Sequence, residues 1–306
     1  MRFPGKEKNM DKVLATRGLT KVYGSRKVVD NVNMTINKGD IYGFIGKNGA
    51  GKTTTMKMIL GMIFSSKGEI ELFGEKACDK ARLKIGSLIE APGLYKSSTA
   101  YDNLRRFSIL FGGTDKEIKE ILELVGLANT GKKKAGAFSL GMKQRLGIAI
   151  AMLGNPEFLV LDEPVNGLDP AGIKEIRDAI ININREKGVT FFISSHLLGE
   201  LARISTRYGI INNGILVEEL SAEALQASCG KKLEIKCTDP VTARKILCET
   251  FNAERIVDNA TGLSAEVELE RAAEINAALV QAGCGVYDFH TVGTDVEDFF
   301  LERIGV

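Results

Sequence analysis

Apolar residues along this chain follow two different spacings, and the switches between them outline its elements. Residues 13–19, 27–30 and 33–36 alternate and are rich in β-branched side chains, which predicts short antiparallel strands. Asn37-Lys38-Gly39-Asp40 is turn chemistry, and a short apolar strand, 41–45, follows it. Residues 69–72 and 85–89 read as further strands. Residues 158–161 and 190–193 are continuous apolar runs of the kind buried inside a parallel sheet.

Helical spacing appears from Lys52 to about Gly61, and again between 99 and 153. Thr99 caps a helix carrying Tyr101, Leu104, Phe107 and Leu110. A second helix, 115–125, sets Ile118, Ile121, Leu122 and Val125 on one face. A third, opening at Ser139, shows Leu146, Ala149, Ile150 and Leu153 on one side. A long helix, 170–187, has proline at its start and Gly188 just past its end. Residues 208–211 and 215–219 form a hairpin around Asn212-Asn213-Gly214. The pattern then restarts with strands at 232–236, 255–257, 264–269 and 286–289 and helices at 242–251 and 272–282. That is the β-α-β-β-α-β order of a ferredoxin-like unit. Two domains are expected, 11–220 with a helical insert at 95–155, and 230–306, parted at the polar break Ser228-Cys229-Gly230-Lys231. Residues 1–10 are charged and predict a mobile start without a signal peptide.

The chemistry concentrates after the 41–45 strand. Gly46-Lys47-Asn48-Gly49-Ala50-Gly51-Lys52-Thr53-Thr54 carries the spacing G-x-x-x-x-G-K-[ST] between a strand and a helix. Glycines let backbone N–H groups approach a polyphosphate, and the helix aims its positive end at the same charge. Lys52 is placed to reach the β- and γ-phosphates and Thr53 to hold Mg²⁺. A chance match in a glycine-rich chain is the bland alternative, and the strand-to-helix setting weighs against it. Asp162-Glu163 ends a buried apolar run, which suits an acid for Mg²⁺ and a neighbouring base for water. Taken alone, such acids are common turn residues.

Composition narrows the classes. The chain has 306 residues, 44% of them hydrophobic, enough for two buried cores. Its net charge of +2, from 41 basic and 39 acidic residues, gives no global argument for nucleic acid as a partner. No apolar run reaches the roughly 20 residues a spanning helix needs. Five cysteines without a C-x-x-C pair fit reduced thiols in a cytoplasmic protein, and two histidines exclude a multi-histidine metal site.

In order, Tyr23, the phosphate loop, Phe138-Ser139-Leu140-Gly141-Met142-Lys143-Gln144-Arg145, Leu161-Asp162-Glu163-Pro164, Asn166-Gly167-Leu168-Asp169 and His196 resemble the ATP-binding cassette (ABC) ATPases over about residues 11–220. The resemblance implies an α/β fold: a P-loop ABC cassette with a mixed sheet core, an antiparallel β subdomain and a helical subdomain, followed here by the small α+β unit. It implies ATP and Mg²⁺ as cofactors. Tyr23 would stack on adenine, and Ser139 and Gly141 would bind the γ-phosphate held by an opposite subunit. Asp169 would link the two sites, and His196 would contact the γ-phosphate. The partners implied are a second cassette, with a homodimer expected, and an integral membrane permease. The location implied is cytoplasmic, on the inner face of the membrane.

Two departures stand out. The family's signature reads Leu-Ser-Gly-Gly-Gln, where this chain has Leu140 and Met142 in place of the first glycine and the glutamine. Glu90 stands where the family has a glutamine beside Mg²⁺ and the permease. Glu90, the signature segment and the tail together resemble the bacitracin-resistance and lantibiotic-immunity exporters. The wider family leaves a drug or lipid-like cargo open, and a soluble ABC ATPase without a transport role is a third alternative.

Overall fold

The computed structural model describes residues 12–229, 231–259, 262–267, 269–293 and 296–304. The charged start and Gly230 of the polar break lie outside the described residues. The chain divides into two compact units, one made of Met1–Ala222 with Arg303–Val306 and the other of Glu223–Glu302.

The first unit opens with two long paired strands, β1 (Lys12–Tyr23) and β2 (Arg26–Asn37). The alternation predicted two short strands where β2 is continuous. The reason is local: Asn31 takes φ +53 in mid-strand and the register shifts beside it, so the alternation resets without ending the ladder. Strand β3 (Ile41–Ile45) leads into helix α1 (Lys52–Ile59). Next come β4 (Lys67–Leu72), β5 (Glu75–Lys76), a short helix α2 (Asp79–Arg82) and β6 (Ile85–Leu88). Strands β2-β1-β4-β5 make an antiparallel sheet that packs its apolar side against β3, α1 and β7.

Three helices follow: α3 (Ala100–Phe111), α4 (Asp115–Leu124) and α5 (Leu140–Ala151). Each start is fixed by its own sequence. Thr99 with Asp102, and Thr114 with Glu117, form reciprocal capping boxes, and Ser139 Oγ accepts the Met142 N–H at 3.2 Å. Leu110, expected on the inner stripe of α3, is 76% exposed, because the buried stripe runs through Ala100, Asn103, Leu104 and Ser108.

Strand β7 (Phe158–Asp162), helix α6 (Pro170–Lys187), strand β8 (Thr190–Ser195), helix α7 (Leu198–Ala202) and the hairpin β9 (Arg207–Asn212) and β10 (Ile215–Ser221) complete the unit. The main sheet has the order β10-β9-β3-β8-β7-β6, with five parallel strands and β10 antiparallel at the edge. Every residue of β3, β7 and β8 is buried, as their apolar runs require. The C-terminal ends of β3, β7 and β8 therefore meet side by side, the usual place for a ligand in an open parallel sheet.

The second unit holds helix α8 (Ala222–Ser228, counted from its second residue), β11 (Lys231–Cys237), α9 (Pro240–Phe251), β12 (Glu254–Asn259), β13 (Gly262–Glu266), α10 (Ala272–Gln281), β14 (Val286–Gly293) and most of α11 (Val296–Ile304). Its antiparallel sheet has the order β12-β13-β11-β14. A separate core gathers Leu233, Ile235, Leu247, Leu263, Ile275 and Leu279. Helices α8 and α11 were not expected from the apolar pattern.

Candidate nucleotide site

The phosphate loop joins β3 to α1, and its backbone is of a kind that glycine permits. Gly49 and Gly51 have φ +82 and +107, and a Cβ on Gly51 would meet the Val28 carbonyl at 2.7 Å. Lys52 folds back over the loop, its Nζ donating to the carbonyls of Gly46 and, at 3.2 Å, Lys47. The side chain is almost fully buried, so the ammonium depends on these acceptors and on Glu163, whose Oε1 lies 3.0 Å away.

Strand β7 delivers both acids. Asp162 is buried, and its Oδ2 accepts the Thr53 hydroxyl at 2.7 Å. Its Oδ1 accepts the Ser194 hydroxyl at 2.6 Å. Glu163 leaves the strand with φ +49, and its N–H donates to Ser194 Oγ at 2.9 Å. The Glu163 carboxylate then lies between Lys52 on one oxygen and His196 Nδ1, 2.8 Å from the other. Three segments far apart in sequence thus converge on one carboxylate.

A cleft lined by Val28, Asn48, Gly49, Lys52, Thr54 and Glu163 opens over the loop. The donor set fits a phosphate ligand: an ammonium, a helix N-terminus and glycines whose missing side chains leave room for close approach. It also fits Mg²⁺, because the Thr53 hydroxyl and the Asp162 carboxylate are adjacent hard oxygen donors.

Two residues of this site went unread in the sequence. Val28 lies in a predicted strand and carries no motif. Ser194 had one available signal, the change from apolar residues to Ser194-Ser195 just before His196.

The remaining candidates lie elsewhere. Tyr23 stands at the end of β1, half exposed, with Lys21 Nζ 4.8 Å from its ring centre. Among the described residues lining the cleft, it is Val28 of β2 rather than Tyr23 that appears. Ser139 caps α5, and Asp169 caps α6 by accepting the Gly172 N–H at 3.1 Å. Gly141 packs on the same turn, since a Cβ there would lie 3.4 Å from Gly172 Cα. These three make their contacts at the starts of α5 and α6 and form a second surface. Glu90, with φ +64, points its carboxylate at Lys57 Nζ, 2.8 Å away. That hydrogen bond holds the Glu90 carboxyl below the usual carboxylate range. Glu90 is thus paired with a lysine of α1 and not with Thr53 or Asp162.

Comparison with known proteins bears on this geometry. A family model described as "ABC transporter" matches residues 29–166. The bacitracin transport ATP-binding protein BcrA of Bacillus licheniformis is 42% identical over 301 residues, which is 97% of this chain and 98% of that protein. The lantibiotic transport ATP-binding protein SrtF of Streptococcus pyogenes is 44% identical over 207 residues, covering 68% of this chain and 90% of its own. Among solved structures, a nucleotide-free ATP-binding cassette from an ABC transporter superposes with a TM-score of 0.63 at 26% identity, over 69% of this chain and 91% of that one. No helix among the described residues is long and apolar enough to cross a membrane. With its phosphate loop, paired acids and this likeness along nearly its whole length, the chain belongs to the ABC transporter ATP-binding proteins and is an ATPase.

Proposed function

We propose that this chain supplies the energy for export of peptide antibiotics of the bacitracin or lantibiotic type, through a separate membrane permease, from the cytoplasmic face. The support for the cargo is the full-length likeness to a bacitracin transport ATP-binding protein. A second chain of the same kind completes the site, because Ser139, Gly141 and Asp169 lie apart from the chain's own phosphate loop. In a head-to-tail pair, the Ser139 hydroxyl and the start of α5 would meet the nucleotide held by the partner. Residues 230–306, most of which fall in the second unit, form an accessory domain of ferredoxin-like order in this reading.

The observation that carries the mechanism is the Lys52–Glu163–His196 contact. In this structure Lys52 is satisfied by loop carbonyls and by Glu163. Incoming phosphates are stronger partners for the ammonium and draw it away, which releases the Glu163 carboxylate to accept a proton from the attacking water. His196, hydrogen-bonded through Nδ1, keeps that carboxylate oriented. Thr53 and Asp162 would hold Mg²⁺, which neutralises charge on the β- and γ-phosphates.

The test is Glu163→Gln, whose amide cannot take the proton. ATP turnover should be lost while ATP binding persists, and Mg-ATP should drive the variant into a dimer on size exclusion. Hydrolysis by this variant at the wild-type rate would place the base elsewhere.

A further inference from the structure

Helix α6 carries two ion pairs on opposite sides. Glu175 Oε2 accepts from Arg145 Nη2 of α5 at 2.9 Å, and Arg177 Nη1 donates to Glu200 Oε2 of α7 at 2.8 Å. Two positions along a helix turn its direction by about 200°, so one pair faces the signature helix and the other the segment behind His196.

The first seam is firmly built. Arg145 is buried and also donates to the carbonyls of Val125 and Gly126 at 3.0 and 2.9 Å, closing the end of α4. Gly141 stands against Gly172 one turn earlier. The second seam holds a weaker element. Helix α7 has five residues, too few to be stable alone, so its placement depends on what it is tied to. Its ties include buried Leu201, the buried Tyr208 hydroxyl, which donates to the Ala202 carbonyl at 2.9 Å, and the Arg177–Glu200 pair, in which the arginine side chain is only 16% exposed. His196 lies four residues before Glu200 and reaches Glu163 from that same segment.

We propose that Arg177 and Glu200 are positioning residues for hydrolysis: their ion pair fastens the His196 segment to α6. The His196–Glu163 contact then follows the position of α6 and, through Arg145 and Glu175, of the signature loop. Each chain thereby links the nucleotide bound on its own loop to the one its signature loop meets on the partner. The inference rests on Glu163 and His196 acting together in hydrolysis.

The test uses full-length chains: wild type, Glu200→Gln, the charge exchange Arg177→Glu with Glu200→Arg, His196→Ala, and His196→Ala with Glu200→Gln. Glu200→Gln should lower kcat about tenfold with KM for ATP nearly unchanged, since the phosphate loop is untouched. The charge exchange should recover most of that loss, and it carries the test if the single variant folds poorly. In the His196→Ala background, Glu200→Gln should cause no further loss, because residues acting through one another are not additive. The proposal is overturned if Glu200→Gln lowers only the melting temperature, if the charge exchange recovers nothing, or if the losses multiply in the double variant. Wild-type turnover by His196→Ala would instead overturn the Glu163–His196 reading itself.

Discussion

Ser194 Oγ donates to Asp162 Oδ1 at 2.6 Å from the fully buried strand β8. The same oxygen accepts the Glu163 N–H at 2.9 Å, so one hydroxyl fixes the Asp162 carboxylate and the backbone of Glu163. Ser194→Ala leaves both groups short of a partner in a buried site, which costs about 1–3 kcal/mol. Thermal melting should show that loss. ATPase turnover should fall and its Mg²⁺ requirement should rise, while Ser194→Thr, which keeps the oxygen, should recover activity. Unchanged turnover in the alanine variant would reduce Ser194 to a packing residue.

Glu90 bears on the exporter assignment. Its carboxylate is exposed and paired with Lys57, and exposed pairs contribute little to stability. Glu90→Gln should therefore melt like the wild type. If the carboxylate also serves Mg²⁺ during turnover, the midpoint of a Mg²⁺ titration of ATPase rate should move upward. Glu90→Ala should impair permease-coupled export more than ATP binding. Wild-type behaviour of the alanine variant in both assays would make Glu90 simply the partner of Lys57.

A chain ending at Ala222 should remain soluble and bind ATP, because the nucleotide site and its supporting core are built before that point. The cut also removes Arg303–Val306, which group with the first unit, so some loss of melting temperature is expected. ATP binding by fluorescence titration decides the matter. An insoluble product, or one that binds no nucleotide, would show that the two units depend on each other to fold.

The cysteines make a prediction about pH. Cys237 and Cys284 are buried in the core of the second unit, and burial, with the neighbouring Cys284 thiol, pushes the Cys237 thiol up to about 11. At pH 8 only about one Cys237 in a thousand would be thiolate, the reactive form. Exposed Cys78 and Cys248 should react with a thiol reagent at once, whereas Cys237 and Cys284 should wait for unfolding. Raising the pH toward 10 increases the Cys237 thiolate fraction about tenfold per unit, yet burial should keep its labelling slow. Rapid native-state labelling of Cys237 or Cys284 would contradict this placement.

What the sequence by itself determined was whatever depends on neighbours along the chain. The phosphate loop is one contiguous stretch, and its glycines and Lys52 declare their use before any fold is known. The starts of α3, α4, α5 and α6 follow from Thr99, Thr114, Ser139 and Asp169 acting within three residues of themselves. Continuous apolar runs marked β7 and β8 as buried strands for the same local reason. What only the tertiary structure decided was which residues face each other across elements. Periodicity tells which side of an element is buried but not what lies opposite. So Ser194 against Asp162, Val28 in the cleft, Glu90 on Lys57 and the two ion pairs of α6 had no signal of their own. Glu163 shows both cases: its place at the end of an apolar strand was legible, whereas its position between Lys52 and His196 depends on the parallel pairing of β3, β7 and β8.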